Sequence, residues 1–166
     1  FAPKSGFIAS ANNKPFSDPV IPYAFGYANN DRVDRMRSLM AGQQKVDTDF
    51  LMRLQNDVFN KKSKEFAEIL TSIGLNKRER DYSESYRDLK NWDGRFTPES
   101  QGAATVEVIK YFAWQSYIES LDLSEGERGS LKNSRDRLFY LIPWLNKLSE
   151  ERKTFTRFRL GWFKSA

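Results

Sequence analysis

The chain has 166 residues, of which 39% are hydrophobic and 30% are charged, and its formal net charge is +5. That length suits one ordinary domain, and the mean hydropathy of −0.69 predicts amphipathic helices with solvated outer faces. The sequence contains no Cys and no His. It therefore excludes disulfides, thiol nucleophiles, Cys/His zinc sites and histidine general bases, and chemistry must come from hydroxyls, amines, amides, guanidinium groups or carboxylates.

The ends of the sequence and its apolar runs bear on location. No run of about 18 apolar residues is present that could span a bilayer. The opening FAPKSGFIASANNKP has no initiator Met, basic leader or apolar run, so we expect the chain to begin within a larger protein or to have been processed. The lack of Cys fits both a cytosolic and a periplasmic protein.

Four of the six prolines lie in residues 1–30. We expect this segment to form turns and one short extended run at residues 6–11. A first helix is predicted to begin after Asn30 or Asp31 and to end at Gly42 in a left-handed conformation. A second helix follows the candidate capping residues Asp47 and Thr48. Its apolar face is predicted to contain Phe50, Leu51, Leu54 and Val58.

Helical spacing continues through the rest of the chain. A third helix is predicted around residues 66–73, and Asn76 with Glu79 resembles a capping box for a fourth that stops at the turn 91–94. Pro98 is predicted as the first residue of the next helix, and residues 103–121 as the central core helix. Residues 124–130 are predicted as a polar connector, before a last apolar stripe at 138–148 that bends at Pro143.

Three groups of residues, in order over residues 5–120, resemble the penicillin acylase family. The first is SGFIASANNKP at residues 5–15, where an apolar run leads into Asn-Asn-x-Pro. The second runs from Gly26 and Tyr27 into NDRV at residues 30–33. The third combines LQND at 54–57, LKNWDG at 89–94 and SQGAA at 100–104, which are similar to scaffold helices of that family.

The resemblance implies a serine-type N-terminal-nucleophile hydrolase that removes acyl side chains from amides. In that family the first Asn of the Asn-Asn-x-Pro segment is an oxyanion-hole donor, which corresponds to Asn12, and Arg32 matches an arginine near the catalytic centre. Asp18 is the nearest candidate for a carboxylate of the family's structural calcium. The nucleophile is a Ser exposed by self-cleavage, whereas this chain starts with Phe1, so we expect an internal, inactive fragment of the large chain.

The residue types suit these roles. An Asn amide offers two N–H donors and has no proton to lose, so it can hold a developing oxyanion, and Arg32 stays cationic at any working pH. Each has a simpler interpretation. An isolated Asn-Asn-x-Pro is usually a turn, and Arg32 could be a surface arginine paired with Asp31 or Asp34.

The fold class expected is mainly α: a helical part of a larger α+β hydrolase, with a short extended N-terminal run. Residues 1–30 are predicted as a segment that contributes to the active site, and residues 31–166 as a helical domain. The resemblance further implies a periplasmic or secreted enzyme, the rest of the parent enzyme (its small chain and the remainder of the large chain) as partner, and a penicillin, a glutaryl amide or an acyl-homoserine lactone as N-acyl substrate.

Two other classes stay open at this point. The tail at residues 152–164 alternates bases with aromatic rings, which is typical of a groove for single-stranded nucleic acid. Acidic residues beside it, including Asp136, Glu150 and Glu151, and the lack of an RNA-binding motif argue against that interpretation. The third class is a helical interaction module without an enzymatic parent.

Overall fold

A computed structural model describes residues 3–13, 30–43, 45–72, 82–134 and 137–151, together with Arg159 and Trp162. These residues form seven α-helices and contain no β-strand, which confirms a mainly α chain. The chain divides into two compact units, residues 1–57 and 58–166. Among the helices described, none is both long and apolar enough to cross a membrane.

The first unit contains helices α1 (Asp31–Met40) and α2 (Thr48–Gln55). Helix α2 begins as predicted, because the Asp47 carboxylate accepts a hydrogen bond from the Phe50 N–H at 2.9 Å. Helix α1 follows Asn30, whose side chain makes no capping hydrogen bond, and its one fully buried residue is Val33. Each of these two helices has one fully buried residue, Val33 in α1 and Phe50 in α2.

Two predictions for the first unit are wrong. Gly42 is not left-handed: α1 ends at Met40, and the chain leaves it by a tight turn in which the Gln43 N–H donates to the Met40 carbonyl at 3.0 Å. The apolar face predicted for α2 is largely outside any core. Phe50 is buried, but Leu51 is 44% exposed, and Val58 lies beyond the last helical residue.

The second unit contains five described helices, and α5 is the central one. Helix α5 contributes eight buried residues, which confirms it as the central core helix. It packs against α4, α6 and α7, while α3 packs against α4 and α7. In chain order the helices are α3 (Lys61–Ser72), α4 (Ser83–Asn91), α5 (Gln101–Glu119), α6 (Glu125–Lys132) and α7 (Arg137–Glu150).

The core of this unit is aromatic and aliphatic. Trp114, which the sequence did not single out, is fully buried in α5 and stacks on Tyr117 with ring centroids 5.4 Å apart. Phe66 and Leu70 of α3 and Leu141 of α7 are also fully buried. Each such side chain contributes about 1.5–3 kcal/mol relative to exposure, so this packing dominates the stability of the unit.

The corner between α4 and α5 follows the predicted turn. The Trp92 indole N–H donates to the Arg95 carbonyl at 2.9 Å, and the Asp93 carboxylate accepts from the Arg95 N–H at 2.9 Å. Gly94 has a φ of 86°, a left-handed conformation that suits glycine. A short antiparallel bridge joins Arg95 to Phe59. The LKNWDG sequence therefore encodes a tight, hydrogen-bonded corner, as its assignment to scaffold implied.

The beginning of α5 and the segment after it differ from prediction. Pro98 lies in a turn closed by the Ser100 N–H and the Thr97 carbonyl at 3.1 Å, and Ser100 is the capping residue, its hydroxyl accepting from the Ala103 N–H. Residues 124–130 are not a connector. They form most of α6, a helix with no buried residue that therefore shows no apolar stripe.

The last helix agrees with its predicted stripe at Leu141 and Leu145, which are buried, and Pro143 lies within the helix, but Phe139, which the stripe also included, is 62% exposed. Ile73 and the proposed capping box of Asn76 and Glu79 lie outside the described residues. The predicted domain boundary between residues 30 and 31 adjoins residues 14–29, which also lie outside the described residues. It stays a prediction, whereas the two compact units of the structure divide between residues 57 and 58.

Candidate functional site

Asn12 stands out by its backbone. It is the single non-glycine residue with a positive φ in the described chain, at 56°, and its side chain is exposed. Asn tolerates this left-handed region better than most residues, and conformations of this kind cluster at functional sites as well as in turns. The neighbouring Asn13 carboxamide oxygen accepts from the Ala11 N–H at 3.0 Å. Asn13 thus holds the bend, and Asn12 is the amide presented to solvent.

The run that precedes Asn12 is also shaped by local hydrogen bonds. The Gly6 N–H donates to the Pro3 carbonyl at 2.9 Å, with Gly6 at a φ of 75°, and the Ser5 hydroxyl donates to the Phe7 carbonyl at 2.8 Å. Beyond that turn Ile8 is 85% exposed. An apolar side chain this exposed offers a surface for packing against another group.

Within the first unit this run and the end of α1 form an open cleft of about 570 Å³. The volume falls in the range of small-molecule sites, which are mostly apolar with a few polar groups. Asn12 and Arg32 are not among its lining residues. The lining consists of Ser5, Phe7, Ile8, Ala9, Arg37 and Ala41.

Helix α1 carries three arginines in different surroundings. Arg32, in its first turn, is exposed and forms no ion pair with a described residue, so pairing with Asp31 or Asp34 is not seen. Arg37 instead pairs with Asp34 at 3.2 Å, both side chains being more than half exposed. A guanidinium without an intramolecular partner in the described chain keeps its donors available for a ligand.

The third arginine, Arg35, forms a two-point contact with a carboxylate. The Arg35 Nε lies 2.6 Å from Asp57 Oδ2, and Arg35 Nη2 lies 3.3 Å from Asp57 Oδ1. The Asp57 side chain is 10% exposed and that of Arg35 is 31% exposed. Two charge-assisted hydrogen bonds of this kind fix both distance and orientation. Asp57 belongs to the LQND group at residues 54–57, which resembles a scaffold helix, but no pattern in the sequence predicts its pairing with an arginine 22 residues earlier.

Metal binding is the remaining element of the predicted site. Asp18 lies outside the described residues. In the ranges that the structure describes, no three acidic, His or Cys side chains come together to hold a metal ion.

The basic and aromatic tail has two described residues, and both are in the core of the second unit. Arg159 is fully buried and donates from Nη1 to the Leu70 carbonyl at 2.8 Å. Trp162 is 2% exposed, and its indole N–H donates to the Ser116 hydroxyl at 3.1 Å. A residue buried in this way cannot stack on a base or neutralise a phosphate. These two positions therefore do not support a nucleic-acid groove.

Comparison with known proteins agrees with the resemblance seen in the sequence. None of the curated proteins searched matches the chain. The family model described as Penicillin amidase matches residues 1–159, which include both units' described helices and the segment around Asn12 and Arg32. Since the match spans nearly the whole sequence, the chain belongs to the penicillin amidase family, whose members are amide hydrolases of the acylase kind.

Proposed function

We propose that this chain supplies an oxyanion-hole amide and an orienting cation to an enzyme that hydrolyses N-acyl amides through an N-terminal serine. The nucleophile would lie outside residues 1–166, so the chain alone is expected to be inactive. The observation that carries the proposal is the family match over residues 1–159.

Asn12 is the proposed oxyanion donor. Attack of a hydroxyl on an amide carbonyl places negative charge on the carbonyl oxygen, and a fixed neutral donor stabilises that charge without transferring a proton. The exposed side chain of Asn12 and the use of Asn13 within the bend support the choice of Asn12. A left-handed backbone held by a neighbouring hydrogen bond also restricts where the Asn12 amide can point.

Arg32 is the proposed orienting cation. It is exposed in the first turn of α1, which begins 19 residues after Asn12, and α1 belongs to the same compact unit as Asn12. Its guanidinium cannot act as a base, because it does not lose its proton at any working pH. It can hold a substrate carbonyl or carboxylate in a fixed direction while the serine attacks.

The remaining parts of the proposal concern the assembled enzyme. The partner of this chain would be the rest of the parent enzyme, its small chain and the remainder of its large chain. The substrate would be a small N-acyl compound of the penicillin, glutaryl or acyl-homoserine lactone type. We further propose a periplasmic or secreted location and a structural calcium to which Asp18 contributes.

The experiment uses the complete enzyme with its serine and measures hydrolysis of a panel of N-acyl anilides and penicillins. Asn12→Gly removes the amide while permitting the left-handed backbone, and it is expected to lower kcat about 10²–10³-fold with little change in KM. Asn12→Asp keeps the size but places a negative charge beside the oxyanion, so its kcat should fall at least as far.

The matched control is Asn133→Ala, which changes an exposed asparagine that follows α6 in the other unit. It should retain kcat within about twofold, as surface changes usually do. Wild-type-like kcat in Asn12→Gly would remove Asn12 from the oxyanion hole. Absence of amide hydrolysis by the complete wild-type enzyme would overturn the proposed activity itself.

A further inference from the structure

Arg35, which pairs with Asp57, lies on the same helix as Arg32, and the geometry of the pair can orient that helix. Both side chains lie in the first unit, and their contact joins α1 to Asp57, two residues beyond the last residue of α2. The inference rests on the proposed function, because it concerns how Arg32 is placed for that reaction.

Among the described residues, few buried side chains constrain the rotation of helix α1. Val33 is its one fully buried residue, while Met36, Leu39 and Met40 are only half-buried. Half-buried side chains tolerate small rotations of a helix, because they lose little contact area in doing so. A side-on guanidinium and carboxylate contact with distances of 2.6 and 3.3 Å is far more directional.

Asp57 is itself held in place by the end of α2. The Asn56 side-chain N–H donates to the Met52 carbonyl at 2.9 Å, and the Asn56 backbone N–H reaches the same carbonyl at 3.1 Å. Because the Asp57 side chain is only 10% exposed, water could not fully solvate its charge if the Arg35 guanidinium were removed. The Asp57 backbone N–H also donates to the Leu54 carbonyl at 3.4 Å, so Asp57 is tied to the end of α2 and its carboxylate can orient α1 through Arg35.

Arg32 and Arg35 are three residues apart, which places them about 60° apart around the helix axis and about 4.5 Å apart along it. A helix with side chains is about 10–12 Å across, so a rotation of about 10° moves a side-chain tip by about 1 Å. A misplacement of about 1 Å can cost about 100-fold in rate. We propose that Asp57 is a positioning residue, which acts through Arg35 to set the rotation of α1 and hence the place of Arg32 in the active site.

The test is a double-mutant cycle in the complete enzyme, with kcat expressed per serine titrated by a covalent reagent so that unfolded protein does not count. Asp57→Asn should lower kcat about 10- to 100-fold, and Arg32→Ala should lower it by at least as much. In the Arg32→Ala background, Asp57→Asn should cost less than about twofold, because no guanidinium remains to be placed.

Two further variants guard against a failure to fold. Arg35→Lys keeps the charge but loses the two-point contact, and it should show an intermediate loss of kcat. Asp34→Asn, which breaks the exposed pair with Arg37 on the same helix, is the matched control and should change kcat less than about twofold.

The outcomes separate the two proposals. If Arg32→Ala lowers kcat and Asp57→Asn lowers it by the same factor in both backgrounds, Asp57 has a general structural role and the inference is wrong. If Arg32→Ala leaves kcat unchanged, the proposed role of Arg32 fails, and the positioning role fails with it. If the wild-type enzyme hydrolyses no amide, the proposed function fails.

Discussion

Gly102 packs directly against the side chain of Trp92. A Cβ placed on Gly102 would lie 2.6 Å from Trp92 Cβ, 2.7 Å from Trp92 Cγ and 2.8 Å from the Asp88 carbonyl oxygen. Two of these neighbours belong to the buried side chain of Trp92 and one to the backbone of α4, so none can move without disturbing the packing around it. The absence of a side chain at Gly102 is what lets α5 approach the corner formed by Trp92.

Gly102→Ala is therefore expected to destabilise the protein, although alanine favours helices by about 1 kcal/mol over glycine. Overpacking a closed contact costs about 1–3 kcal/mol, which equals or exceeds that gain. Urea denaturation of the variant should show a lower midpoint. The matched control is Gly126→Ala, which also alters the second residue of a helix but meets no atom within 4 Å and should raise the midpoint.

Arg159 gives a second prediction about stability. It is fully buried, and its Nη1 donates to the carbonyl of Leu70, in the last turn of α3, where carbonyls lack an i+4 N–H donor from the same helix. Arg159→Met keeps an apolar stem of similar length but leaves that carbonyl unsatisfied, so it should lower the free energy of unfolding by about 1–3 kcal/mol.

The comparison for Arg159 is Arg87→Met, which changes an exposed arginine on α4. Its free energy of unfolding should stay within about 0.5 kcal/mol of the wild type. Equal stability of the two variants would mean that the hydrogen bond of Arg159 contributes little.

A gel shift with mixed oligonucleotides tests the tail at residues 152–164 for nucleic-acid binding. No salt-dependent binding is expected, because the two described residues of this tail are buried.

The sequence predicted the elements that have an apolar period and missed those that do not. The buried stripe of α5 and the turn at residues 91–94 were predicted because packing and turn chemistry leave a pattern in the residues. Helix α6 has no fully buried residue, and its Leu131 is only partly buried against the core, so periodicity could not reveal it, although Ser124 and Glu127 have the spacing of a capping box. Glycine commonly ends helices in a left-handed conformation, but the backbone conformation of Gly42 is set by the local turn that the Gln43 N–H closes.

The candidate site was predictable to a different degree. Asn12 and Arg32 were found through the family resemblance, and the structure adds a positive φ at Asn12 and an exposed side chain at both. The contact between Arg35 and Asp57 could not be read from the sequence. Any of several charged residues could pair across 22 positions, and the tertiary arrangement of α1 and α2 selects one.

The Glu127 carboxyl makes the first turn of α6 sensitive to pH. Hydrogen bonds from the hydroxyl and then the backbone N–H of Ser124, at 2.6 and 2.9 Å, lower the pKa of the Glu127 carboxyl below its ordinary value of 4.5. A lowered pKa in the folded protein means that the ionised form stabilises the fold. That contribution is complete above about pH 4.5 and is lost as the pH falls through the lowered pKa. An NMR titration of the Glu127 side chain measures the shift directly.

Ser124→Ala removes the larger cause and should move the pKa of Glu127 back toward 4.5, because only the backbone donor remains. Glu127→Gln removes the titrating group, so the acid-induced fraying of the first turn of α6 should no longer follow this carboxyl. The amide signals of residues 124–127 report that fraying. An unchanged pKa of Glu127 in Ser124→Ala would show that the hydroxyl does not stabilise the carboxylate.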